Sequence, residues 1–148
     1  MNLTQTSAAP ISSSALSYLL GYAGLLPFFA LAFLHLSSST LSIAGLGKAD
    51  ALSLFGVYSL AIASFLCGSL WQQHHSALVL VSSNSILLIA VAMLAWRPLY
   101  WLPVLALLYL AILLVERYGL PQQSKAYSRL RLQLSSIVIT LHLVLFLF

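Results

Sequence analysis

Apolar residues in this chain fall into five long, continuous runs separated by short polar breaks. The runs cover about residues 15–36, 51–71, 76–96, 99–115 and 132–148. A helix needs roughly 20 apolar residues to cross the hydrocarbon core of a bilayer, and each run is of that order. A membrane barrel would place a polar residue at every second position. Stretches such as 102–115 (LPVLALLYLAILLV) show no such alternation. Hydrocarbon offers no hydrogen bonds, so a spanning backbone must satisfy its own, and the helix is the form that remains. The expected fold is all-α, a polytopic membrane helical bundle of about five transmembrane helices. It forms one domain over residues 15–148, behind a polar tail at 1–14 that is expected to be mobile. A four-span alternative requires one run to lie in the interface. The short link between the third and fourth runs instead predicts a tight antiparallel hairpin.

The breaks contain residues suited to a wet interface. Residues 37–50 (SSSTLSIAGLGKAD) carry Lys48 and Asp50. A carboxylate there can accept from the free N–H groups that open the second span. Gln72, Gln73, His74 and His75 make a short polar turn. Arg97-Pro98 predicts the end of the third span, because the residue before proline disfavours helical geometry, while proline itself suits a first helical turn. Residues 116–131 (ERYGLPQQSKAYSRLR) read as the most polar connection.

Composition agrees with this picture. Hydrophobic residues make up 61% of the 148 positions and charged residues 5%, against roughly 25% charged in a soluble domain. The mean hydropathy is +1.03. Length leaves no room for a separate soluble domain, so function is expected in the bundle, its lipid-facing surface or its loops. The tail lacks Lys and Arg, so it does not resemble a signal or transit peptide, and the first run is expected to be retained. The net charge of +4 is spread over loops and reads as a topology signal, with no nucleic-acid partner implied. With five spans, Arg117, Lys125, Arg129 and Arg131 share one side, against Lys48 and Arg97 on the other. Positive residues favour the inside, which predicts a cytoplasmic (or matrix) N-terminus. Tyr18, Trp71, Trp96, Tyr100, Trp101 and Tyr118 fall near predicted helix ends, where amphipathic rings prefer to sit.

Chemistry-bearing residues are sparse. The two acidic residues, Asp50 and Glu116, sit at predicted span ends, which argues against a proton- or cation-coupled transporter. No Walker loop, HExxH or GxSxG motif is present. Cys67 stands alone, so neither an internal disulfide nor a cysteine-only metal site can form. No catalytic or metal residues are expected, no cofactor is implied, and the chain does not read as an enzyme. His142, mid-way along the fifth run, is open to two readings. It either joins helices by a hydrogen bond, or it holds haem or a metal, or relays a proton. Asn84, among Ser82, Ser83 and Ser85, either joins helices or lines a substrate cavity. Ser59, Ala63 and Cys67 are spaced by four, as are Ser64 and Gly68, which allows close helix approach. Gly21, Gly24 and Pro27 predict a bend in the first span.

Two segments carry a family resemblance. Gly21-Tyr22-Ala23-Gly24-Leu25-Leu26-Pro27-Phe28 resembles a G-x-x-G-L-[IL]-P-F signature. The stretch from Phe55 to Trp71 (FGVYSLAIASFLCGSLW) resembles Y-G-A-x-I-L-S-F-L-G-G-x-x-W-G, with Val57-Tyr58 in place of Tyr-Gly, Cys67 in place of Gly and Gln72 in place of the last Gly. Tyr127-Ser128-Arg129-Leu130-Arg131-Leu132 is similar to a Y-x-R-L-R entry to a final helix. Together these resemble the domain-of-unknown-function 3429 family, small multi-spanning bacterial inner-membrane proteins that include mitochondrial transmembrane protein 69. The resemblance implies an inner (plasma) membrane location and brings no established activity. It singles out Gly24, Pro27, Phe28, Ser64, Phe65, Gly68, Trp71, Arg129 and Arg131. The two arginines read as topology anchors, as ligands for lipid phosphates or as partners of Glu116.

With no catalytic constellation, no soluble domain and a small-residue helix face, the reading is a non-enzymatic subunit or assembly factor of a larger membrane complex. Its partners would be the lipid bilayer and a membrane protein, or a second copy of itself. The alternative is a small transporter or lipid or quinone carrier acting as a homo-oligomer. That alternative needs Pro27, Asn84 and His142 to line one cavity.

Overall fold

The computed structural model describes residues 13–37, 47–73, 77–119 and 124–148. Tail residues 1–12, most of the first break, the His74–His75 pair and residues 120–123 lie outside the described residues, as do the side chains of Gln72 and Gln73. Among the described residues six helices follow in order: α1 (Ser13–Ala23), α2 (Leu26–Leu36), α3 (Lys48–Gln73), α4 (Ala77–Trp96), α5 (Trp101–Gly119) and α6 (Lys125–Leu147). No strand occurs among the described residues. Five segments are long and apolar enough to cross a membrane, with α1 and α2 together forming the first.

The spans pack as an antiparallel bundle that closes on itself. Sequence neighbours α2 and α3, α3 and α4, α4 and α5, and α5 and α6 lie side by side, and α6 returns to α2. Apolar side chains from every span fill the centre, Phe28, Phe55, Leu70, Tyr109 and Ile112 most completely. The row Ser59, Ala63 and Cys67 faces this core, so its small side chains serve packing within the chain.

The first span breaks where the glycines and proline sit. Pro27 has no N–H to donate to the turn before it, and helix α1 gives way to α2 across Gly24-Leu25. At the break the Gly24 carbonyl accepts from the Tyr58 hydroxyl, 2.9 Å away. Below the break α1 leans on α6. Tyr22 Oη donates to Gln133 Oε1 at 2.9 Å, Tyr18 Oη to the Ala126 carbonyl at 3.2 Å, and Gly21 lies close against Leu134. Helix α2, by contrast, packs on both α3 and α6.

Helix ends differ from the reading in three places. Helix α3 begins at Lys48, and Asp50 lies within its first turn, where Oδ2 reaches back to accept from the Gly47 N–H at 3.1 Å. This is the backward half of a capping box. The α4–α5 hairpin turns through Arg97, whose φ of 43° is left-handed, as at many helix C-termini. Helix α5 starts only at Trp101, so Pro98 lies in the turn and Pro103 in the first helical turn. Finally, α5 continues to Gly119 and α6 begins at Lys125. Residues 116–119 and 125–131, read as connection, are therefore helical.

Gly56 marks the tightest helix crossing. A Cβ there would sit 2.7 Å from Leu94 Cδ1 and 2.8 Å from the Trp101 ring. Trp101, which opens α5, is buried against this crossing, unlike Trp96 and Tyr118, which are exposed. Gly56→Ala is expected to destabilise the bundle by about 1–3 kcal/mol, the usual cost of overpacking. Denaturant unfolding in mixed micelles would measure it.

Candidate functional site

Two clusters of buried polar groups are completed by α6. The first surrounds His142, which is fully buried. Its Nδ1 lies 2.8 Å from the Val138 carbonyl one turn earlier. A carbonyl only accepts, so Nδ1 carries the proton and Nε2 is left as the acceptor. Ser59 Oγ, 3.0 Å from Nε2, therefore donates to it. Tyr109 Oη donates to the Ser59 carbonyl at 2.8 Å and lies 3.4 Å from Ser59 Oγ. Three helices thus share one closed network.

Aromatic rings seal this network. Phe55 packs edge-on to the His142 ring at 4.8 Å between centroids, with Tyr109 at 5.6 Å and Phe28 at 6.3 Å. Phe28 in turn packs edge-on to Phe55 and Tyr58. The two signature segments therefore meet. The Gly24–Phe28 break is held by Tyr58 and Phe55, and both sets of residues enclose His142. Both ring nitrogens are engaged, so a metal or haem iron would have to displace Ser59. The geometry is that of a joint between helices.

The second cluster is an ion pair. Arg131 Nε donates to Glu116 Oε1 and Oε2 at 3.1 and 3.0 Å, and Arg131 Nη2 lies 3.0 Å from Oε2. The side chains are 11% and 6% exposed, which places an ionised pair inside the bundle. The Tyr127 ring lies 5.8 Å from the guanidinium. Glu116 stands in the last turn of α5, at the span end expected for it, and its side chain is buried. It extends the buried stripe of α5 formed by Leu105, Tyr109 and Ile112, at spacings of four, three and four. The pairing with Arg131, fifteen residues away across a reversal of the chain, is one of the three readings that the sequence left open for that arginine.

A cavity of about 390 Å³ lies beside both clusters, between α1, α3 and α6. Gly21, Gly24 and Leu25 at the break, Ile62 and Leu66 of α3, and Leu134 of α6 form its apolar walls. Phe28, Tyr109 and Val138, the outer side of the His142 cluster, also line it, as do Arg131 and Ser135. It exists because the break turns α1 onto α6 and away from α3.

The remaining singled-out residues are scattered. Ser64 Oγ bonds the Leu60 carbonyl of its own helix. Gly68 faces outward, with open space where a Cβ would stand. Trp71 Nε1 donates to Ser83 Oγ at 2.8 Å, tying α3 to α4. Arg129 is exposed. Asn84 is exposed on α4 and bonds nothing among the described residues, so it neither joins helices within the chain nor lines the cavity. The shared cavity of Pro27, Asn84 and His142 does not form. Ser59, Tyr58 and Tyr109 were not singled out as chemistry, since isolated hydroxyls in apolar runs carry no spacing signal.

These features define a polytopic α-helical membrane protein with five spans and two internal polar joints. More specifically, the chain belongs to the DUF3429 family of proteins of unknown function, whose model matches residues 13–147. Neither a curated protein nor a solved structure matches it.

Proposed function

We propose that this protein is a non-enzymatic subunit or assembly factor that joins a larger membrane complex through the outer face of α4. One observation carries the reading. Asn84 presents its amide outward near the middle of a spanning helix, without a partner among the described residues. An amide facing hydrocarbon costs several kcal/mol or finds a hydrogen bond. The residues around it form a seam. Ala77, Val81, Asn84, Leu88, Val91 and Ala95 are all exposed and follow spacings of four, three, four, three and four. That is the repeat of helices that pack along their length, and a single polar residue within such a seam sets register and partner number. The occupant is a partner transmembrane helix that offers a hydrogen-bonding side chain at this depth.

The membrane is read as the bacterial inner membrane, with the N-terminus in the cytoplasm. Since Arg131 is balanced by Glu116, this orientation rests on Arg117, Lys125 and Arg129 against Lys48 and Arg97.

Gentle extraction from native membranes, with the mass of the intact particle measured, tests the reading. A defined heteromeric particle is expected, and Asn84→Leu should release the partner while leaving the fold intact, because Asn84 holds nothing inside the chain. A homo-oligomer disrupted by the same substitution would assign the seam to self-association. A monomer would remove the proposal.

A further inference from the structure

The geometry points to the cavity beside Arg131 as a binding site for an apolar membrane lipid with a neutral carbonyl head. Its volume of about 390 Å³ falls within the range of small-molecule sites, roughly 300–1,000 Å³. Its walls are apolar along most of their extent, which suits a chain and not a hydrated solute.

Two hydrogen-bond donors stand on one face of α6, one turn apart. Arg131 Nη2 is buried and, although 3.0 Å from Glu116 Oε2, makes no hydrogen bond. Ser135 is 7% exposed, lines the same cavity, and its hydroxyl bonds nothing among the described residues. Every other buried side-chain hydroxyl described above has a partner. Nη2 is closed off at the ion pair, so the Ser135 hydroxyl is the spare donor at the apolar cavity, and it calls for an acceptor on an otherwise apolar molecule.

The ion pair selects the charge of that acceptor. Glu116 already balances Arg131, so an anionic head would lie against a carboxylate with no net positive charge to offset it. A carbonyl oxygen accepts from the Ser135 hydroxyl without that repulsion. Two membrane components carry such a head on an apolar body, a quinone and an acylglycerol. The inference is independent of the α4 seam, which lies on a helix that contributes nothing to the cavity.

The test uses the full chain in nanodiscs of dioleoylphosphatidylcholine, titrated separately with decylubiquinone, dioleoylglycerol and dioleoylphosphatidic acid, with the unfolding temperature as readout. A ligand that binds the folded state raises that temperature saturably. One of the two neutral titrants is expected to do so, and which one identifies the source. Ser135→Ala, which leaves the ion pair in place, should weaken binding by about 2- to 12-fold, the worth of one neutral hydrogen bond. Leu20→Trp, which adds bulk at an exposed lining position, should abolish the shift without unfolding the protein. The inference is overturned if neither neutral titrant saturates, if only the phosphatidic acid does, or if both variants bind like the parent.

Discussion

Arg131→Met is expected to destabilise the bundle by about 3–5 kcal/mol, because it removes the guanidinium that faces the buried Glu116 carboxylate. The loss comes from the buried charge left behind more than from the missing attraction. Two charges brought out of water are costly to desolvate, and a well-formed pair roughly offsets that cost. The paired substitution Glu116→Leu with Arg131→Met should therefore recover most of the stability lost by Arg131→Met alone. Denaturant unfolding in mixed micelles for the parent, the two single variants and the double variant measures this directly. A double variant no better than Arg131→Met would show that the pair itself, and not the buried charge left behind, holds α5 to α6.

His142→Ala should have an effect of similar size, about 3–5 kcal/mol. Truncating a fully buried ring leaves a void enclosed by Phe28, Phe55 and Tyr109, and large-to-small core changes of this kind cost that much. The Ser59 hydroxyl also loses its acceptor, which adds to the penalty. A cycle with Ser59→Ala separates the two contributions. The coupling between the sites is expected at about 0.5–3 kcal/mol in the same unfolding assay. Additive losses would assign the whole effect to packing and would leave the hydrogen bond without a measurable role.

The spans were legible because continuous apolar runs have few physical alternatives in lipid. The break at Gly24 and Pro27 was legible too, since a missing N–H acts locally. What the sequence concealed was pairing at long range. Arg131 was read among anchors, phosphate ligands and partners of Glu116; the structure pairs it with Glu116 because α5 and α6 both extend past the apolar runs. Polar residues near a run's edge are assigned to a loop by composition, yet a buried ion pair lets the helix continue through them. The partner of Asn84 was left open for the opposite reason. An isolated amide signals that a bond is needed, but not whether the partner lies in the same chain. Nor does the pattern say which face of α4 turns outward, because that helix is apolar all round. The cavity was invisible as well, being an absence produced by two helices leaning differently on a third.

The closure of α6 onto α2 has a consequence for biogenesis. A membrane protein is threaded into the bilayer in the order in which it is synthesised. When α3 and α5 have entered, Ser59 lacks its acceptor, and Glu116 lacks the Arg131 guanidinium. Both deficits are relieved only when α6 brings His142 and Arg131 alongside. Completion of both polar joints therefore depends on the last helix to be made, and a chain cut short before α6 would lack them both.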